Sequence, residues 1–296
     1  AVQNAVAACG KPVQTLFIQE MGGAAKTTAK GVLIAQEMAI QASRLKPQEC
    51  DAGDIVLGLK CGSSDTTSGL AANPALGVVV EKLVAENAVV IMGEVTEFIG
   101  AEHILAAQAK DEATGRRILE LVERMENRAK AVGVDMRGGQ PTPGNIAGGL
   151  TTIEEKSLGA IAKAGSAVVQ DVYEYGQRPR VKGLVVMDSP GREPEILTGL
   201  AAAGCNLITF TTGRGAPQGF PFVPVIKITG NEKTWHHLRD HMDLSVHQVM
   251  DGRESLGQAG TRIYEEIETV ASGTKTKAEI SGYVQAMDIY VTGPVI

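Results

Sequence analysis

Two carboxylates three residues apart, in Gly93-Glu-Val-Thr-Glu97, come directly after an apolar run. At a strand end, Glu94 and Glu97 could bind a divalent cation through hard oxygen ligands, or one could serve as a general base. The plainer alternative is a pair of acids complementing the dipole of a following helix. A second polar loop runs from Cys61-Gly-Ser-Ser-Asp-Thr-Thr-Ser-Gly69 into Ala71-Ala-Asn-Pro74. Its glycines allow close backbone approach, and Ser64, Asp65 and Ser68 offer hydroxyls and a carboxylate. Such a loop suits a polyhydroxy acid or a metal; it also reads as an ordinary polar turn in which Asn73 caps the next helix.

Two further segments carry polar groups among glycines and prolines. Gln140-Pro-Thr-Pro-Gly-Asn-Ile-Ala-Gly-Gly-Leu-Thr-Thr-Ile-Glu-Glu-Lys156 is a stiffened turn that runs into a capped helix. Backbone N–H groups beside a helix start favour anions. Thr151 with Glu154, or Thr152 with Glu155, makes a capping box, which leaves Asn145 and Lys156 in search of a role. Lys156 could neutralise a substrate carboxylate, act as a base if desolvated, or sit on a solvated face. Thr211-Thr-Gly-Arg-Gly-Ala-Pro217 lies between two predicted strands. There Thr211 and Thr212 offer hydroxyls, and Arg214 could present a bidentate fork to an acid group. Neither a Walker loop nor G-x-G-x-x-G is present, which argues against nucleotide binding. His237 and His241 stand four apart, but Leu238-Arg239-Asp240 between them is not H-E-x-x-H, so a solvated helix face is expected rather than zinc.

The elements that must position these loops alternate. Predicted strands cover Pro12–Ile18, Asp54–Lys60, Ala88–Gly93, Ala167–Val172, Gly183–Met187, Asn206–Thr211, Phe222–Ile228 and Asp288–Val291. Predicted helices cover Ala24–Leu45, Ala75–Glu86, Asp111–Val132, Thr151–Ala164, Glu195–Ala203, Ser255–Ala271 and Ala278–Ala286. Apolar strands alternating with amphipathic helices predict an α/β fold of Rossmann-like parallel sheets flanked by helices. The Gly- and Pro-rich stretch 133–149 suggests two α/β lobes, residues 1–139 and 140–296. In open α/β sheets ligands bind outside the carboxyl ends of the strands, and three of the polar loops fall at such ends or beside a helix start.

At 296 residues and a formal net charge of −6, the chain can bury a sizeable core, and its charge argues against a broad nucleic-acid footprint. No apolar run reaches the length of a membrane span. Cys9, Cys50, Cys61 and Cys205 are scattered and read as reduced thiols in a cytoplasmic protein. The chain opens at Ala1, apparently inside an α/β unit, which suggests a piece of a longer protein.

Taken in order, these loops resemble the altronate/galactarate dehydratase family, which also includes the sulfolactate sulfo-lyase large subunit. The matching stretches are Cys61 to Gly69, Ala72-Asn-Pro74, Glu94 to Glu97, Thr142 to Asn145 with Gly148 to Leu150, Glu155-Lys156, Thr211 to Gly215 and Val223 to Lys227. The resemblance extends from about Pro12 to Gly293. It implies loss of water, or of sulfite, β to the carboxylate of a 2-hydroxy acid, giving a 2-keto acid. It further implies a divalent metal, most often Fe2+, with Cys61, Glu94 and Glu97 as candidate ligands. Arg214, Asn145 and Lys156 would anchor the acid, with Ser64, Asp65, Ser68, Asn73, Thr211 and Thr212 around it and Lys156 or Glu97 moving the proton. A homodimer is expected from the same resemblance. Typical members carry an upstream Cys- and Gly-rich segment and a small β-clip-type N-terminal domain, which would here reside on a missing part or on another subunit; the alternative is a non-catalytic ligand-binding or scaffold subunit that needs a partner chain.

Overall fold

The computed structural model describes residues 1–284 and 287–292. It separates into two units, Ala1–Cys50 and Asp51–Ile296. The first holds two helices, α1 (Val2–Ala8) and α2 (Ala24–Ser43). α2 lies within the expected helix. The run Pro12–Ile18, expected as a strand, forms none: it has no partner to supply ladder hydrogen bonds, and β propensity alone cannot hold a strand.

The second unit is built on one parallel sheet. In chain order its elements are β1 (Val56–Gly62), α3 (Asn73–Ala85), β2 (Val89–Met92), α4 (Glu102–Ala107), α5 (Glu112–Ala131), α6 (Met136–Gly139), α7 (Pro143–Ala147), α8 (Ile153–Ile161), β3 (Val169–Tyr173) and β4 (Gly183–Met187). There follow α9 (Glu193–Ala202), β5 (Leu207–Thr212), β6 (Val225–Thr229), α10 (Glu232–His237), β7 (Leu244–Ser245), α11 (Leu256–Ala271) and α12 (Lys277–Ser281). The strand order is β3-β4-β2-β1-β5-β6-β7, and all pairs are parallel. The expected α/β class with a helix-flanked parallel sheet is therefore what forms. The boundary at 139/140 does not divide it, because β1 and β2 lie between strands from the later half. The Gly- and Pro-rich stretch is instead a connection within one unit, carrying α6 and α7 between β2 and β3. The expected closing strand 288–291 is not formed, and the end of the expected helix 278–286 lies outside the described residues.

Alternation along β1 explains the layers. Leu57 and Leu59 join a core with α3, α5, α8 and α11, while Gly58 faces Leu200 of α9 and Cys205 on the other side. A Cβ there would lie 3.0–3.1 Å from both, tighter than ordinary contact, so glycine eases the approach of α9. The strands are buried on both faces, which is why they read as continuous apolar runs rather than alternating ones. The connection from β1 to β2 and that from β5 to β6 run toward opposite edges of the sheet. The gap between the carboxyl ends of β1 and β5 is thus the switch point where an open α/β sheet offers a crevice. No helix among the described residues is long and apolar enough to cross a membrane.

Candidate active site

Successive residues of β1 point to opposite faces of the sheet, so Lys60 and Cys61 reach Glu94 from different directions. Lys60 Nζ donates to Glu94 Oε1 at 2.6 Å, and the Cys61 backbone N–H donates to Glu94 Oε2 at 2.8 Å. The Cys61 thiol donates to Glu97 Oε2 at 2.6 Å. A second ammonium, Lys163, follows α8 in the short turn Ala162–Ala164. Its Nζ lies 3.3 Å from Cys61 Sγ, 3.1 Å from Glu94 Oε2 and 3.2 Å from Glu97 Oε2. All five residues are buried; only Glu97, at 6 % exposure, shows an appreciable edge.

The backbone is bent to make this meeting. Glu94 sits at φ 67° and ψ 57°, in the left-handed region, and Ser63 at φ 49°. Non-glycine residues rarely adopt that region, and such strain clusters at functional sites. Ser189 Oγ, just past β4, accepts the Glu94 N–H at 2.8 Å and fixes the turn. A Cβ at Gly93 would strike Ser189 and Ile196, so a side chain there would displace the hydroxyl that holds the turn.

Electrostatics separate the two carboxyls. Burial, and then the like charge of Glu97, push the Glu94 carboxyl up against Lys60 and Lys163. Burial also acts on Glu97, but Lys163, Lys156 and Lys60 outweigh it and hold that carboxyl below its usual range. For Lys163, burial opposes the charge, while Cys61, Glu94 and Glu97 raise it well above an ordinary lysine. Burial, seconded by Glu97, pushes the Cys61 thiol up. Cys61, Glu94 and Glu97 offer donor atoms that all lie within 4.8 Å of one another, the sole such group of three or more among the described residues. One sulfur and two carboxylates suit a first-row transition metal better than a hard cation, which takes oxygen alone. By donor type and spacing the three fit a divalent metal.

A family model described as D-galactarate/altronate dehydratase, C-terminal, matches residues 52–293. The chain belongs to this family. It is 37 % identical over 286 residues to the (2R)-sulfolactate sulfo-lyase subunit beta of Chromohalobacter salexigens, covering 95 % of this chain and 73 % of that one. It is 37 % identical over 242 residues to the galactarate dehydratase (L-threo-forming) of Escherichia coli, covering 82 % and 46 %. The altronate dehydratase of Bacillus subtilis is 38 % identical over 205 residues, covering 69 % and 41 %. The chain thus spans less than half the length of these two dehydratases and about three quarters of the sulfo-lyase subunit.

Beside the buried cluster, this dehydratase-family chain has a cavity of about 510 Å³, lined by Ser64, Asp65, Ser68, Asn73 and Lys156 among others. Of these, Lys156 links cavity to cluster: its Nζ donates to Gln140 Oε1 at 2.9 Å, and its charge acts on Glu97. Several other expected substrate ligands are committed to internal bonds. Asp65 Oδ1 accepts from Thr67 and Ser68, and its Oδ2 accepts from Asn231 at 2.7 Å. Asn73 does not cap α3; its Oδ1 accepts from Thr211 Oγ1 at 2.6 Å and its Nδ2 donates to the Gly159 carbonyl at 2.7 Å, tying β5 to α8. Asn145 closes a capping box with Thr142 and donates to the Ser64 carbonyl at 2.9 Å. Thr212 Oγ1 accepts from the Gly215 N–H. These residues shape the loops that flank the crevice.

Arg214 differs. It is exposed, its backbone N–H donates to the Ser63 carbonyl at 3.1 Å, and its guanidinium lies over Gly144. The guanidinium has no hydrogen-bonded or ionic partner among the described residues. The loops after β1 and β5 are thereby joined at the switch point with a free cation above them. His103 is exposed and away from the cluster, and His237 and His241 gain no third ligand.

Lys60, Lys163 and Ser189 were not expected. The signal for the lysines lies in Val56-Leu-Gly-Leu-Lys60 and Gly159-Ala-Ile-Ala-Lys163. A single charge inside an apolar run must find a partner when that run is buried.

Proposed function

We propose that this chain carries the catalytic centre of a metal-dependent carbon–oxygen lyase acting on a sugar acid such as altronate or galactarate. The observation that supports this most is the buried convergence of Cys61, Glu94 and Glu97 at the carboxyl ends of the sheet, in a chain of the dehydratase family. The cavity beside it lies within the size range of small-molecule sites.

In this reading the substrate carboxylate is held by Arg214, whose guanidinium is free, and by Lys156 of the cavity lining; Ser64 and Ser68, on the same lining, serve the hydroxyls. Glu97 is the carboxylate of the cluster with an exposed edge, and its ionised form is favoured by three lysines. It takes the proton from the carbon α to the carboxylate, or Lys156 does. The bond from the β-carbon to its oxygen then breaks, the hydroxyl leaves with the electron pair and takes a proton from the protonated base to become water, and the enol tautomerises to the 2-keto acid. Cys61, Glu94 and Glu97 would hold the metal, Fe2+ by family resemblance, whose Lewis acidity would stabilise charge developing on the substrate oxygens. A homodimer in the cytoplasm, working with a β-clip-type domain or subunit, completes the proposal.

A second reading has its own support. The match to the sulfo-lyase subunit beta covers 95 % of this chain at the same identity as the dehydratases. In that case the leaving group is sulfite and the substrate sulfolactate. A 2-keto-acid assay, run anaerobically with ferrous iron against altronate, galactarate and sulfolactate in parallel, tests both. Turnover of one acid, abolished by chelator, is expected and names the branch. Silence on all three by protein carrying stoichiometric iron would refute the lyase reading.

A further inference from the structure

The three candidate ligand atoms already share a cation. Lys163 Nζ is 3.1–3.3 Å from Cys61 Sγ, Glu94 Oε2 and Glu97 Oε2, and those atoms lie within 4.8 Å of one another. A divalent metal on the same donors needs contacts of about 2.0–2.3 Å, in the space the ammonium fills. Two cations so close in a buried site repel strongly. Charge balance points the same way: Lys60 and Lys163 compensate Glu94 and Glu97, so the buried cluster is neutral without any further ion.

The turn that carries Lys163 cannot simply retreat. It is packed against α3, where a Cβ at Gly77 would meet the Ala162 carbonyl and Gly165, and a Cβ at Gly165 would meet the Gly77 carbonyl. Backbone contact this close fixes the root of the side chain, so the lysine can vacate the seat only by changing rotamer.

We propose that Lys163 is a built-in competitor for the metal: the ammonium and a divalent cation are mutually exclusive occupants of the seat between Cys61, Glu94 and Glu97. Lys163 holds the acidic pair together during folding and sets how much metal is needed to load the site. This rests on the metal-lyase reading above, but its test does not use turnover. Cobalt(II) is titrated into chelator-treated full-length protein, with equilibrium dialysis for affinity and the near-ultraviolet thiolate-to-cobalt band for Cys61 ligation. Lys163→Met, close in volume and uncharged, is expected to bind cobalt at least tenfold more tightly than wild type and to keep the band, which Cys61→Ser abolishes. Lys163→Arg keeps a larger cation in place and is expected to bind at least tenfold more weakly; it serves if the methionine variant fails to fold. Equal affinity in wild type and Lys163→Met, or undiminished cobalt binding with the band in Lys163→Arg, would overturn the proposal. Chelator-resistant turnover by wild type would instead remove the metal-lyase reading, and the dialysis data would still decide whether Lys163 and cobalt compete.

Discussion

Lys227 sits in the middle of β6, in register with Phe210 of β5, fully buried; the Asp243 carboxylate accepts its backbone N–H at 2.7 Å but forms no ion pair with its ammonium. Its ammonium donates to the Pro217 carbonyl at 3.2 Å and faces the Phe210 ring at 5.7 Å. Burial pulls its pKa from 10.5 down to about 8, with Asp243 opposing only in part. At roughly 1.4 kcal/mol per pH unit, that difference corresponds to about 3 kcal/mol of instability at neutral pH. The unfolded chain keeps this lysine protonated to a higher pH than the folded chain does. Wild type therefore gains stability from this residue as pH rises from 8 toward 10.5, and carries the full cost below 8. Lys227→Met removes the buried charge and leaves the Pro217 carbonyl without its donor, a loss of about 1 kcal/mol. The variant should be more stable than wild type by about 2 kcal/mol at pH 7. That advantage should shrink through pH 8 to 10 and change sign near the top of the range. Urea denaturation at pH 7, 8, 9 and 10, with m-values checked for constancy, reads this directly. A variant less stable than wild type at pH 7, or a stability difference independent of pH, would refute the reasoning.

Three further outcomes are expected. Arg214→Ala should leave thermal stability within the range of surface substitutions, about 0.5 kcal/mol, yet raise KM for an acid substrate about tenfold or more; unchanged kinetics in active protein would remove Arg214 from the site. Gly213→Ala places a methyl group on the Asp65 carboxyl and should cost about 1–3 kcal/mol in chemical denaturation, an idea that fails if stability is unaltered. Asn73→Ala strips Thr211 and the Gly159 carbonyl of their buried partners and should cost about 1–3 kcal/mol; hydrogen exchange localised to α8 would report it, and full protection there would contradict it.

Strand content was legible in the sequence because the central strands are buried on both faces, and uninterrupted apolar runs such as Gly183–Met187 have no other good explanation. β4 forms over those same residues. The convergence of the loops was legible only as coincidence of position: Cys61, Glu94 and Arg214 each end or follow a strand, and a parallel sheet brings such ends to one edge. Strand order was not legible. Nothing in Val56–Gly62 says that its neighbours are β2 and β5, since a parallel crossover leaves no local mark. Pro12–Ile18 shows the reverse failure, where local propensity had no sheet to join. Among the polar residues, sequence distinguished poorly between side chains that face a ligand and those that hold the walls. Asp65, Asn73 and Asn145 have the same chemistry in either role, and only their partners separate the two.

The interleaved strand order also shapes how the chain must be made. β1 and β2, the sheet's centre, leave the ribosome first. β4, which covers the free side of β2, and β5, which covers that of β1, arrive only after α3 to α8 and α3 to α9 respectively. While the residues between β2 and β4 are being made, the nascent protein therefore holds this central ladder with both borders open, a template for unwanted pairing. A chaperone that shelters β1 and β2 until Thr212 has emerged would raise the yield of native protein, and a bicistronic split at residue 139 would succeed only when both fragments are translated together.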